Sequence, residues 1–339
     1  MVPRDGIPKD PILWRGGLEG RRPSNLRRPM TRILATRLAQ IALTLAILSF
    51  CAFALIALMP GDPIEVAIAG DPRLTAIDAA RLRALHGLDQ PFTTRYLAWA
   101  SGLLQGGFGY SRLFAQPVAA LLLPALLSTL ALAGTALAIA LVAGVGLGAL
   151  AASRPRSAPL VDAIAVMGQA MPTFWLGILL IIAFAVTLGW LPAGGTADHG
   201  LGLSYLVLPV ATLAAAHLAA YARHSAASLE ATLTEPWIRT ARARGAPESR
   251  VLLRHAFPNA ALPVLQIAAL DAGALAGGAL VTETVFARPG MGKLLYDAVM
   301  GNDTNLALIA LLLVALVTML ATLGADLAQR ALDPRLRER

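Results

Sequence analysis

Gly290-Met291-Gly292-Lys293 has the glycines and the lysine of a loop that could cradle phosphate. Such a loop needs Gly, four residues, Gly-Lys and then Ser or Thr, so that backbone N–H groups and a hydroxyl converge on the anion. Here Ala287 stands at the first glycine and Leu294 at the hydroxyl position, so no nucleotide site is expected. Gly144, Gly146 and Gly148 lie inside an apolar run, where close packing of helices is what small residues permit. His86, His199, His217, His224 and His255 have no metal-ligand spacing. The single cysteine, Cys51, excludes an intrachain disulfide and a multi-cysteine zinc site. With no nucleophile–base pair visible either, no catalytic residue, metal or cofactor is expected.

Residue type and spacing become specific at 235–259. The stretch reads Glu235-Pro236-Trp237-Ile238-Arg239-Thr240-Ala241-Arg242-Ala243-Arg244-Gly245-Ala246-Pro247, then Glu248-Ser249-Arg250-Val251-Leu252-Leu253-Arg254-His255-Ala256-Phe257-Pro258-Asn259. Pro236 suits the first turn of a helix, where its missing N–H costs nothing. Gly245 suits the stop, where a left-handed residue closes the last turn. On the helix between them Trp237, Ala241 and Arg244 share a face, and the small Ala241 and Ala243 would let another surface come close. A second helix is expected from Glu248. Physical chemistry alone leaves two readings open: a basic loop held by water or lipid headgroups, or a docking element for another protein.

The elements that must position this loop follow from composition. Of 339 residues, 57% are hydrophobic and 14% charged. A soluble domain carries about a quarter charged residues, so burial in lipid is expected. Runs meeting the ~20 apolar residues needed to cross a bilayer lie at 41–59, 118–152, 163–190, 203–222, 256–280 and 306–325. Lipid cannot satisfy open backbone groups, so the expected fold is an all-α polytopic membrane protein with six transmembrane helices. The run 118–152 reads as one helix of roughly 50 Å, its first turns outside the bilayer.

With the N-terminus inside, 21 of the 28 Lys and Arg fall in inside segments. That bias gives an N-in/C-in topology. The basic residues are spread over several loops instead of one groove-reading element, which excludes a nucleic-acid partner. Residues 1–29 are rich in Arg, Pro and Gly without periodicity and are expected to be disordered; Met30 is a second plausible start. Residues 60–117 are expected to form a small folded outside segment. One helix there is capped by Thr75 and Asp78, and another runs from Pro91 to Leu104 before Gly106, Gly107 and Gly109. Glu283 and Arg288 are expected at the outside mouth, and Asp162 and Asp326 at solvated inner helix ends.

Small residues at Ala241 and Ala243, then Gly245, then Phe257-Pro258 at a fixed distance make this loop resemble the cytoplasmic coupling loop of ABC-importer permeases. That loop typically runs Glu-Ala-Ala, two residues, Gly, nine residues, Ile-x-Leu-Pro. Thr240 stands for the Glu, Arg242 for the second Ala and His255 for the Ile. These departures resemble the dipeptide, oligopeptide and nickel branch, whose loop typically reads Arg-Thr-Ala-Arg-Ala-Lys-Gly. The likeness runs on through Pro60-Gly61-Asp62-Pro63, Gly87-Leu88-Asp89-Gln90-Pro91, Gly109-Tyr110-Ser111, Pro172-Thr173-Phe174-Trp175-Leu176-Gly177 and Gly189-Trp190-Leu191-Pro192. It continues in Glu283-Thr284-Val285-Phe286, Pro289-Gly290-Met291-Gly292 and Leu332-Asp333-Pro334-Arg335, covering nearly the whole chain from Met30. Residues 1–29 have no counterpart.

The resemblance implies a non-enzymatic permease subunit in a bacterial inner membrane, surrounded by lipid. A second homologous permease subunit would complete the pathway for peptides or similar small solutes. Two cytoplasmic ATP-binding subunits would drive it, and an extracytoplasmic binding protein would deliver the solute. It implies docking of an ATP-binding subunit at Trp237, Arg239, Thr240, Ala241, Arg242, Ala243, Arg244 and Gly245. Asp271, where the family often has Gln, departs from the pattern. A carboxylate at a helix centre costs about 2.5–3.5 kcal/mol, so Asp271 must meet a polar cavity or a partner. It reads either as a neutral acid bonded to a neighbouring helix or as a substrate-pathway contact for a cationic group. The alternative for the whole chain is a secondary transporter or channel acting alone, which would not need the 240–258 loop.

Overall fold

The structure is a computed structural model that describes residues 30–58, 90–154, 156–197 and 202–332. The segment 1–29, the helix expected at Thr75 and the closing Asp333-Pro334-Arg335 lie outside the described residues. The elements in order are α1 (Met30–Ala57), α2 (Phe92–Leu104), β1 (Tyr110–Ser111), β2 (Gln116–Pro117), α3 (Val118–Ser153), α4 (Ala158–Ala170) and α5 (Thr173–Leu180). They continue with α6 (Leu203–Leu233), α7 (Pro236–Ala243), α8 (Glu248–Arg250), α9 (Phe257–Gly278), α10 (Leu280–Val285), α11 (Met291–Met300) and α12 (Thr304–Leu332). Wider π-helical turns extend α5 through Ile181–Thr187 and join α8 to α9 through Val251–Ala256.

Among the described residues α1, α3, α6 and α12 are long and apolar enough to cross a membrane, and α4 with the extended α5 makes a fifth if that bent pair is one span. The fifth expected run, 256–280, forms α9, which carries Pro258, Asn259, Pro263, Gln266 and Asp271 and is not among those helices. The run at 118–152 is one helix of 36 residues. The run at 163–190 is broken: α4 and α5 meet at 104°. Pro172 is the reason. Its ring disfavours helical backbone at the preceding residue, and Met171 is extended, with φ −85° and ψ 126°.

The core is built on the crossing of α3 and α6. A Cβ at Gly144 would lie 2.7 Å from the Tyr221 Cβ, and one at Gly148 2.5 Å from the Ala222 carbonyl oxygen. The missing side chains therefore set the spacing of the two helices. Gly146, on the other side, has nothing within 4 Å. Leu132, Ala136 and Ala140 of α3 meet Val210, Leu213 and Tyr221 of α6 and Val264, Ala268 and Leu275 of α9.

At the opposite end from the 235–258 loop, α11 packs on α3 and α12 through Val118, Leu122, Met291, Leu294, Leu306 and Ala310. The β1–β2 hairpin is pinned there by Asp303. Its Oδ2 accepts from the Ser111 hydroxyl at 2.6 Å and the Leu113 N–H at 3.0 Å, and its Oδ1 accepts from the Leu306 N–H at 3.2 Å. α2 lies against α1, where the rings of Phe50, Phe53, Phe92 and Tyr96 cluster edge to face and Trp99 lies tilted beside Phe53.

Glu283 is not on the mouth but fully buried, and Arg288 is buried beside it. The Thr129 hydroxyl of α3 donates to Glu283 Oε1 at 2.5 Å and accepts from the Met291 N–H at 2.8 Å. Glu283 Oε2 accepts from the Lys293 N–H at 3.0 Å. The carboxylate thus caps the first turn of α11, where unpaired N–H groups favour an anion. A Cβ on Gly290 would overlap that carboxylate. Glu283, Gly290 and Thr129 therefore form one latch between α10, α11 and α3. Asp326 is not merely solvated: its Oδ2 pairs with Arg37 at 2.7 Å, joining α12 to α1.

Candidate functional site: the short basic helix and the intramembrane carboxylate

α7 begins at Pro236 and ends in a tight closure. The Ala246 N–H donates to the Ala241 carbonyl at 3.3 Å, and the Gly245 N–H to the Arg242 carbonyl at 2.9 Å. Gly245 supplies the left-handed residue this closure needs, with φ +80°. Past Pro247 the chain re-enters a helix at Glu248. It widens into π turns just before Pro258, where the Phe257 N–H reaches back to the Leu252 carbonyl. A proline ring clashes with the carbonyl four residues earlier, and the wider turn relieves that contact while α9 continues.

Ile238 holds this helix to the protein. It is 0% exposed and packs with Leu229 of α6, Val251 and Ala256 of the π turns, and Ala260 of α9. Ala149 and Ala152 at the end of α3 flank the same cluster. Ala241, one turn on, is half-buried. Trp237 is 41% exposed, and Arg239, Thr240, Arg242, Ala243, Arg244 and Gly245 are exposed too. α7 thus presents an outer face of one aromatic ring, small residues and arginines on a single buried root.

Arg242 is engaged within the loop. Its Nε and Nη2 donate to Glu248 Oε1 and Oε2 at 2.7 and 3.2 Å, a two-pronged pair bridging the turn. The guanidinium holds the Glu248 carboxyl below its ordinary range. Sequence reasoning grouped Arg242 with Arg239 and Arg244; the structure separates it, since neither of the others has an ion pair among the described residues. Reasoning from sequence also missed Ile238, whose one available signal was its place as an apolar residue one turn from Ala241 among arginines. Ile238→Ala is expected to loosen α7 by about 2–5 kcal/mol, the usual cost of such a truncation. Faster amide hydrogen exchange confined to residues 236–246 checks this.

Asp271 lies far from this helix, on α9 facing α6. The Tyr221 hydroxyl donates to Asp271 Oδ2 at 2.7 Å, and His217 Nδ1 stands 3.4 Å from the same oxygen. The structure thus joins His217 and Tyr221, one turn apart on α6, to a carboxylate on another helix that spacing along α6 could not reveal.

The sequence pattern described as "Binding-protein-dependent transport system inner membrane component" matches residues 144–338, and that of its N-terminal part matches residues 30–132. The chain belongs to this permease family. It is 38% identical over 310 residues to the glutathione transport system permease protein GsiC of Escherichia coli (strain K12), covering 91% of this chain and 99% of that one. It is 32% identical over 313 residues to the oligopeptide transport system permease protein AppB of Bacillus subtilis (strain 168), covering 90% and 98%. The inward-facing MetNI methionine ABC transporter shares the fold, with a TM-score of 0.53 at 23% identity over 64% of this chain and 98% of that chain. The permease is an inner-membrane, multi-pass component of an ABC importer and not itself an enzyme.

Proposed function

We propose that this permease forms half of a peptide pathway with six spans, both chain ends inside, and that α7 is the element through which a cytoplasmic ATP-binding subunit moves it. A second permease subunit completes the pathway, two ATP-binding subunits drive it, and an extracytoplasmic binding protein delivers solute. The topology is supported by the Arg37–Asp326 pair, which places the start of α1 beside the end of α12. Two ends on one side require an even number of crossings. The five candidate spans become six when α9 is counted. Peptides are the substrate class because relatives similar over nine-tenths of this chain are oligopeptide and glutathione permeases.

The observation that carries the mechanism is the root of α7. Ile238 touches groups on α6, α9 and the π turns at once, with the end of α3 alongside. A push on the exposed face therefore reaches several spans through one packed cluster, which suits a rigid-body switch between inward- and outward-open states. Trp237, Arg239, Thr240, Ala241, Ala243, Arg244 and Gly245 would meet the ATP-binding subunit, while the Arg242–Glu248 pair keeps the turn in shape. The test is co-purification: the tagged permease, expressed with the ATP-binding subunits of its transporter, should retain them in detergent. Recovery of the permease alone, with ATP hydrolysis indifferent to its presence, would support a transporter acting by itself.

A further inference from the structure

His217, Tyr221 and Asp271 form a polar group set into apolar helices. Tyr221 and His217 both address Oδ2 of Asp271. Oδ1 takes no hydrogen bond among the described residues and is not enclosed. The side chains of Asp271 and His217 are 26% and 24% exposed, whereas Tyr221 is buried, with its Cβ packed against Gly144. The His217 and Tyr221 rings lie side by side, their centroids 6.3 Å apart. The group has an inner wall of α3 and α6 and an open side.

Further along α6 lie other polar groups. His224 lies two turns from His217 on α6 and is exposed, as is Arg223, whose Nη1 donates to Gln169 Oε1 of α4 at 3.2 Å. Ionisable groups on two apolar helices do not face acyl chains; they mark a surface turned to water or to a solute. Asp271 has no Lys or Arg partner among the described residues. A metal ion does not fit, since no group of three or more His, Cys, Asp or Glu side chains converges there, and bound metals take about four or more ligands. One open carboxylate oxygen suits a small organic cation, which gains a charge-assisted hydrogen bond there.

We propose that Asp271 Oδ1, beside the His217 ring, binds the primary ammonium group of the transported solute. The proposal rests on the peptide reading above, in which that group is the α-amino terminus. Asp271 provides the charge, Tyr221 fixes the rotamer of the carboxylate through Oδ2, and His217 closes the site from the solute side.

The test uses the whole transporter in proteoliposomes, with ATP inside and loaded binding protein outside. Luminal alaninamide, a primary ammonium without a carboxylate, should slow trialanine uptake about fivefold; N-acetylalaninamide, its uncharged counterpart, should have no effect. Asp271→Asn keeps an acceptor for Tyr221, so the helices stay packed, yet it should abolish the alaninamide effect and lower uptake about tenfold per ATP hydrolysed. Asp271→Glu should restore part of both. Equal inhibition by the two amides, or an unchanged response in Asp271→Asn, overturns the site. The peptide reading is judged separately. If the unmodified transporter takes up no trialanine, that reading falls, and the effect of alaninamide on ATP hydrolysis still supports or overturns the ammonium site.

Discussion

Gly245→Trp is expected to abolish ATP hydrolysis stimulated by loaded binding protein, while the permease still inserts and folds. Gly245 follows α7 with φ +80°, and a Cβ built there meets nothing within 4 Å. The chain's own atoms therefore do not oppose an indole. The internal cost is the left-handed backbone, about 1–2 kcal/mol for a residue with a Cβ, and the Ile238 root stays buried. Any loss beyond that must come from a surface the indole would strike outside this chain. Gly245→Ala isolates the backbone cost and should keep stimulation within about threefold, whereas Gly245→Trp should fall to the unstimulated rate, a loss of about 1–3 kcal/mol of coupling. The measurement is ATPase rate in the reconstituted complex with and without loaded binding protein. Full stimulation in the Trp variant would remove α7 from the docking surface.

The second large effect is at the Glu283 latch. Glu283→Ala strands the Thr129 hydroxyl and the Lys293 N–H, and removes the carboxylate whose charge acts on the buried Arg288 guanidinium. Each buried donor left without an acceptor costs about 1–3 kcal/mol, and breaking a buried charge contact by removing one partner costs about 3–5 kcal/mol. These terms overlap, so a destabilisation of about 3–5 kcal/mol is expected. Thermal unfolding of the purified permease in detergent should show a large drop in Tm. Glu283→Gln keeps the shape and one acceptor, so its drop should be smaller. Equal stability of the Ala variant and the unmodified protein would show that α11 is held by its apolar face alone.

What sequence revealed and what it hid divide along local and long-range lines. Pro236 and Gly245 mark the ends of α7 because helix starts and stops are local chemistry. Gly144 and Gly148 were legible as packing residues for the same reason, although their partner on α6 was not. Ile238 was hidden because its burial depends on Leu229, Val251, Ala256 and Ala260, spread over three other elements. His217 looked scattered because spacing along one helix says nothing about Asp271 on another. The break at Met171 was written in Pro172, but the surrounding apolar run masked it. Glu283 and Arg288 read as charges at a pathway mouth because they follow an apolar run, and only packing against Thr129 shows them as interior groups.

The Arg37–Asp326 bridge also bears on how the protein is made. It joins the first span to the last, and α1 has its main helix contact with α12. A ribosome delivers α1 to the membrane long before α12 exists. α1 must therefore wait in lipid without its principal neighbour, which its almost wholly unburied apolar surface allows. The bundle is closed by the final helix to emerge, so a chain cut short before Asp326 would leave its first span adrift.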